Sequence, residues 1–395
     1  MPLPSLALAA PKAALKTAHH ASRLQFFVLG ALMGTWGAHV PSLKAALGLS
    51  DGGLSLALLA AACGSVLCLL LAGRLVHRLG AAVCLRWGCG LGAAALAGLL
   101  HLPGLAWLLP VMVLLGAAMS IFDVAANAEG CELEARSPRK LMSGLHAMFS
   151  VGGAAGALGV AGLIRLGVPA ALQLAALAGA LAAASLWASR HMLLNQAGHA
   201  DDTAGAGWAW PRGLLRTLGL LAALGLLAEG AMYDWSVVYL RDTLGSAPAL
   251  AALGYASFSG AMAGARFLGD RLRERYAPAA LLGASGWLAA LAMAGVLWLG
   301  SPAAALLGFA LVGLGLANVV PLLYIAASRL PGITPASGIA MVSSVSFLGF
   351  VSGPPLVGAI AQASSLRLGL VVVVLAAAAL ALGARTLQGQ LAHAD

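Results

Sequence analysis

Apolar residues of this 395-residue chain fall into about a dozen long blocks, separated by short polar or Gly/Pro-containing breaks. A helix needs about 20 mainly apolar residues to cross the hydrocarbon core of a bilayer. Lipid offers no partner to backbone N–H and C=O groups, so only helices or closed barrels cross it. Barrel strands alternate apolar and polar positions over about 10 residues, and these blocks are longer and apolar on every face. The pattern predicts an all-α membrane protein with twelve transmembrane helices, at 24–42, 54–75, 82–101, 105–128, 141–164, 168–189, 213–239, 249–268, 277–299, 303–327, 336–361 and 366–385. These are numbered spans 1 to 12.

Composition supports the same solvent. Apolar residues make up 61% of the chain and charged residues 9%, against about half and a quarter in soluble domains. The formal charge of +9 is spread over short loops and forms no continuous basic face, which argues against a nucleic-acid partner. Cytoplasmic loops of membrane proteins are enriched in Lys and Arg. Placing both termini in the cytoplasm leaves only Lys44, Arg165, Arg241 and Arg367 of the 22 Lys/Arg outside. The expected location is therefore a bacterial-type inner membrane, with both termini inside. Residues 1–22 and 386–395 are expected as cytoplasmic tails. The longest polar stretch, 190–212, is expected as a central cytoplasmic loop between six-helix bundles at 23–189 and 213–385. Cys63, Cys68, Cys84 and Cys89 lie in apolar blocks and read as free thiols packed like small hydrophobes; with Cys131 they suggest no disulfide framework and no metal spacing.

The halves repeat. His77-Arg78-Leu79 matches Asp270-Arg271-Leu272 at an offset of 193, and Ser143-Gly144 matches Ser337-Gly338 at 194. After span 2 the chain reads Gly73-Arg74-Leu75-Val76-His77-Arg78-Leu79-Gly80, and after span 8 Gly269-Asp270-Arg271-Leu272-Arg273. These segments resemble the G-x-x-x-D-R-x-G-R signature of the major facilitator superfamily, with His77 in place of the usual acid. Asp123-Val124-Ala125-Ala126-Asn127, the segment from Ser143 to Ser150 and the segment from Glu229 to Ser236 are similar to a MosC-like subgroup of bacterial membrane proteins and, more distantly, to the fucose permease group. The resemblance covers 23–385. It implies two pseudo-symmetric six-helix bundles, a monomer, and a cavity lined by spans 1, 4, 7 and 10. It also implies that Gly73, His77, Arg78, Gly80, Asp270 and Arg271 belong to conformational gating loops.

Charges in hydrocarbon cost about 2.5–3.5 kcal/mol each on insertion scales, so those that persist usually face the bundle interior or a wet cavity. Asp123 and Asn127 in span 4 are four apart and share a face. Asp123 and His146 of span 5 sit at similar depth, so a contact between them is allowed; it would be a proton-sensitive pair or a structural hydrogen bond. Glu229, deep in span 7, is a candidate proton carrier, because a carboxyl in a low-dielectric site favours the neutral form a carrier needs. His39 in span 1 is a candidate partner or substrate contact, or a packed core histidine. Trp36, three residues earlier, has room on the same face for a binding role. Asp234 and Trp235 lie nearer the far interface, where Trp235 would anchor or stack on a sugar-like ring. Asn318, near the middle of span 10, would bond a polar cargo or another helix. Gly152, Gly153, Gly156, Gly159 and Gly162 in span 5 suit close helix packing, and Gly349, Gly353, Pro354, Pro355 and Gly358 suit a bend in span 11. Glu129, Glu132, Glu134, Arg136, Arg139 and Lys140 between spans 4 and 5 read as a solvated loop, or as a source of state-dependent salt bridges.

No nucleotide-binding loop, zinc-protease motif or hydrolase elbow stands in the chain, so an enzyme and an ATP-driven pump are disfavoured, and no cofactor or metal is expected. The expectation is a secondary active transporter of a small polar, sugar- or cyclitol-like solute, working by alternating access with protons as coupling ion. An exporter of amphipathic compounds or drugs by proton antiport, and a non-transporting membrane sensor with a transporter fold, are the alternatives.

Overall fold

The computed structural model describes residues 12–137, 141–193, 213–330 and 333–391. Residues 1–11, most of the central loop (194–212), Arg139 with Lys140, and residues 392–395 lie outside the described residues. The helices are α1 (Lys12–Ala46), α2 (Asp51–Leu79), α3 (Ala81–Gly98), α4 (Leu105–Ala135), α5 (Met142–Arg165), α6 (Ala170–Ser189), α7 (Leu214–Val238), α8 (Pro248–Arg275), α9 (Pro278–Leu299), α10 (Pro302–Leu316), α11 (Val319–Ser328), α12 (Pro335–Ala363), α13 (Leu366–Gly369) and α14 (Val371–Leu391). The tenth crossing is split into α10 and α11, and the twelfth into the short α13 and the long α14. Eleven of the crossings are long and apolar enough to span a membrane by length and composition. The other, α8, carries serines, glycines and Arg266 within its apolar run, and is held by its neighbours.

Local chemistry sets the helix ends. Ser50, Ser301 and Thr334 each accept a backbone N–H in the first turn of α2, α10 and α12, which satisfies a donor that the helix leaves orphaned. Proline opens α8, α9, α10 and α12, where its missing N–H costs nothing. Gly80 (φ 82°) turns the chain between α2 and α3, a left-handed conformation that suits a residue without a Cβ.

Several boundaries differ from the sequence expectation. Residues 12–22 are helical, and Ala18, Ala21 and Ser22 are buried, so α1 extends back through much of the expected tail. α14 likewise runs to Leu391. α2 and α8 outlast spans 2 and 8 because Leu75, Val76, Leu79 and Leu272 continue the apolar pattern. Gly73, His77, Arg78 and Asp270-Arg271 therefore lie on helix, and the expected loop after span 2 shrinks to Gly80. Helix α12 passes unbroken through Pro354 and Pro355, whereas the tenth crossing breaks at Ala317-Asn318. Glu129, Glu132 and Glu134 are in α4 rather than in a solvated loop: buried Glu129 accepts from Leu193 N at 2.7 Å, and Glu134 accepts from Leu141 N and Met142 N to cap α5. Glu132 pairs with Arg136 one turn on. Cys84 and Cys89 are buried as expected, but Cys63 and Cys131 are exposed and Cys68 is half-buried.

Packing repeats between the halves. α1 lies on α5, α2 on α4, α3 on α4 and α6, and α1 on α6; in the second half α7 lies on α12, α8 on α10, α9 on α10 and α14, and α7 on α14. The largest contacts between halves, α2 with α12 and α5 with α8, exchange with each other under the same correspondence, and α1 also touches α7 and α8. The fold is thus two pseudo-symmetric six-helix bundles, called lobes below. The face holding the start of α1 and the end of α14 is the terminal face, and the opposite one the distal face.

Candidate functional site

The lobes meet along a line of polar contacts that runs from the distal face to the middle of the bundle. At the distal end Lys44 Nζ, closing α1, lies 2.6 Å from Asp51 of its own lobe and 2.6 Å from Asp242 of the other. Gly52 N donates to Gln362 Oε1 at 2.8 Å. Farther in, Ser55 Oγ donates to Pro355 O at 2.8 Å and Trp36 Nε1 to Asp234 Oδ1 at 3.0 Å. At the middle Ser259 Oγ donates to Ser150 O at 2.9 Å and Arg266 Nη1 to Ser150 Oγ at 2.6 Å. Ser150 and Arg266 stand eight and nine residues from the terminal ends of their helices, or about 12–14 Å at 1.5 Å per residue.

Arg266 is the hub of the site. Besides Ser150 it reaches Glu229 Oε1 through Nη2 at 3.3 Å and Ala317 O through Nε at 3.4 Å. The last bond serves a carbonyl at the break in the tenth crossing, where irregular backbone needs side-chain partners. Asn318 completes the clamp: it is 5% exposed and donates from Nδ2 to Ala265 O at 3.2 Å. Of the two roles open to it, the structure shows the bond to another helix. Gly269, in the second signature segment, is glycine because a Cβ there would overlap the Asn318 amide.

Glu229 is 5% exposed and also accepts from Tyr233 O–H at 3.1 Å. Tyr233 is ringed by aromatics, with Tyr255 and Phe258 centroids at 5.1 and 5.2 Å and Phe149 of the other lobe at 6.5 Å. Asp123, by contrast, is accessible and bonds only its neighbour of the next turn, Asn127 Nδ2, at 3.0 Å. His146 is accessible too. Its ring stands edge-on to Phe26 at 5.2 Å, one turn before the Ser150 that Arg266 bonds.

The structure does not bring Asp123 and His146 together. Helix α5 packs between α1 and α8, its glycines seated on the α1 backbone, which holds His146 on the Arg266 side and away from α4. Trp36 and His39 also part. Trp36 faces α7, whereas His39, 2% exposed, bonds Thr35 O through Nδ1 at 2.9 Å and turns toward Gln173 of α6. Trp235 is neither interfacial nor open to a ring: it is 0% exposed and donates to Pro354 O at 2.9 Å, across the helix pair α7 and α12. Gly73, His77, Arg78 and Arg271 are exposed near the terminal face.

Sequence reasoning missed Arg266, Tyr233, Ser150 and Ser259. Arg266 stands two residues before the expected end of span 8 and was given no role there. The apolar pattern continuing to Leu272 was the signal that it lies deeper. Tyr233, four residues after Glu229, is marked by helical spacing alone.

The sequence pattern of the Major Facilitator Superfamily matches residues 24–334. An uncharacterized MFS-type transporter of Yersinia pestis is 36% identical over 354 residues, covering 87% of this chain and 89% of that protein. The membrane protein MosC of Rhizobium meliloti is 32% identical over 347 residues, covering 87% and 83%. Among solved structures, a D-xylose–proton symporter superposes with a TM-score of 0.77 at 12% identity over 93% of this chain and 97% of that one, a likeness of fold. By sequence match and by fold, the chain belongs to the Major Facilitator Superfamily.

Proposed function

We propose that this transporter moves a small polar, sugar- or cyclitol-like solute by alternating access, coupled to protons, across a bacterial inner membrane with both termini in the cytoplasm. The observation that carries the reading is the line of contacts from Lys44 to Arg266. It closes the distal half of the lobe interface, while Asp123 and His146 remain accessible on the terminal side. In this reading the conformation is closed outward and open inward, and rocking of the lobes exchanges the two. Accessible Asp123 with half-buried Asn127 on α4, and accessible His146 on α5 apart from them, offer acceptors and donors that suit hydroxyl groups. Solved structures with this fold include a D-xylose–proton symporter, which supports the solute class by likeness of fold alone.

The test is a thermal-shift screen of sugars, cyclitols, organic acids and cationic drugs on purified protein, followed by counterflow and pH-driven uptake of each hit in proteoliposomes. A polyol that stabilises the protein and enters with the proton gradient supports the reading. Hits confined to amphipathic cations, or a hit that binds without flux, contradict it.

A further inference from the structure

Besides Glu129, buried near the terminal face against Leu193 N, three carboxyls stand deeper in the membrane-spanning helices, and they differ in charge balance. Glu229 is paired with Arg266. Asp123 and Asp234 have no cation within ion-pair distance among the described residues, and each accepts from a neutral donor, Asn127 and Trp36 respectively. Asp123 bonds within its own helix. Asp234 bonds across the lobe interface, from α7 to α1.

The groups that face Asp234 leave it no cation. From α1 comes the Trp36 indole, and from α8 the Tyr255 phenol, close enough to feel its charge. On its own helix stand Tyr233 and Glu229, the latter taken up by Arg266. Toward the distal face Lys44 is engaged by Asp51 and Asp242, and Arg241 donates to Ser246 O at 2.9 Å. His39, one turn beyond Trp36 on α1, is turned to α6. A carboxylate in a low-dielectric bundle is costly unless compensated. Here the compensating charge has to be a proton or a cationic ligand.

We infer that Asp234, and not Glu229, is the carboxyl that carries the coupling proton, with Trp36 sensing its charge across the lobe interface; this rests on the proton-coupled reading above. The ionised carboxylate accepts a charge-assisted bond from Trp36 Nε1, which is about twice as strong as a neutral one, and so holds α1 to α7. With the distal face open, a proton from distal water gives the neutral acid, which makes only the weaker bond to Trp36 when the lobes close over it. The same proton returns to water on the terminal side when the cleft opens there. Glu229 remains ion-paired with Arg266 throughout.

Infrared difference spectroscopy of the full-length protein in liposomes, titrated with pH and without added solute, tests this. A carbonyl band of a protonated carboxylic acid should titrate in the wild type, vanish in Asp234→Asn and persist in Glu229→Gln. Asp234→Glu, a milder change that guards against misfolding, should move the band without removing it. Trp36→Phe should move its midpoint to higher pH, because the ionised form loses its donor. A band that survives Asp234→Asn but is lost in Glu229→Gln or Asp123→Asn overturns the assignment to Asp234 and leaves proton coupling standing. A wild type with no titrating carboxyl band overturns the proton-coupled reading itself.

Discussion

At the scale of single residues, the site depends on one guanidinium with fixed partners on α5, on α7 and at the break in the tenth crossing. Breaking a buried ion pair by removing one member is costly, on the order of 3 kcal/mol, because the other charge is left uncompensated. Both members here are largely buried, so Arg266→Ala should lower stability by about that amount in denaturant unfolding of micellar protein. The double variant Arg266→Ala with Glu229→Gln should recover part of the loss, since it leaves no orphaned charge. A double variant no more stable than Arg266→Ala would show that the pair is not what binds this region. Glu229, Asp234 and Asp123 were legible in the sequence because a charge inside an apolar block stands out. Their partners were not. Trp36 and Asp234 are 198 positions apart, and only the lobe interface brings them together.

At the scale of elements, glycines let helices approach, and spacing alone did not say which ones. Gly152 and Gly156 of α5 face the α1 carbonyls of Phe27 and Ala31, and Gly30 and Gly34 of α1 face Phe149 and Gly153 in return. Gly162 of the same α5 series has open space around it. Gly34→Val should therefore abolish the monodisperse peak in size-exclusion chromatography, whereas Gly162→Ala should leave it unchanged and add helix propensity. Equal behaviour of the two variants would contradict the seating of α5 on α1. The break in the tenth crossing was illegible for a related reason: Leu316-Ala317-Asn318-Val319 reads as continuous apolar helix, and the break is sustained from outside by Arg266 and Asn318. Asn318→Ala should cost about 1 kcal/mol, the net worth of one intramolecular hydrogen bond, read as a fall in melting temperature. Pro354 and Pro355, which the sequence marked as a bend, instead lend carbonyls to Trp235 and to Ser55 of the other lobe.

At the scale of the molecule, the twelve crossings and the repeat were readable because lipid forces every span to be long and apolar, and because duplicated lobes keep matching segments. The conformational state was not readable, since it depends on which cross-lobe pairs are made. Lys44 is the clearest of these. It shares its charge between Asp51 of its own lobe and Asp242 of the other, so only the second bond resists opening. Asp242→Asn should favour the open distal face, and Asp51→Asn should favour the closed one by leaving Lys44 wholly to Asp242. A thiol probe placed at Ser55, buried within the distal lobe contact, should label faster in the first variant and slower in the second. The reverse order would remove Lys44 from the gate.

In the proposed cycle the two lobes rock as bodies, opening one face as they close the other. Spin labels on a cysteine-free background test it directly, with one pair on the distal face at Leu166 and Ser364 and another on the terminal face at Leu79 and Arg275. Electron–electron distance measurements in lipid should give a short distal and a long terminal separation. Lys44→Ala should lengthen the first and shorten the second together. A distal separation that changes while the terminal one stays fixed, or that never changes, would contradict alternating access in this chain.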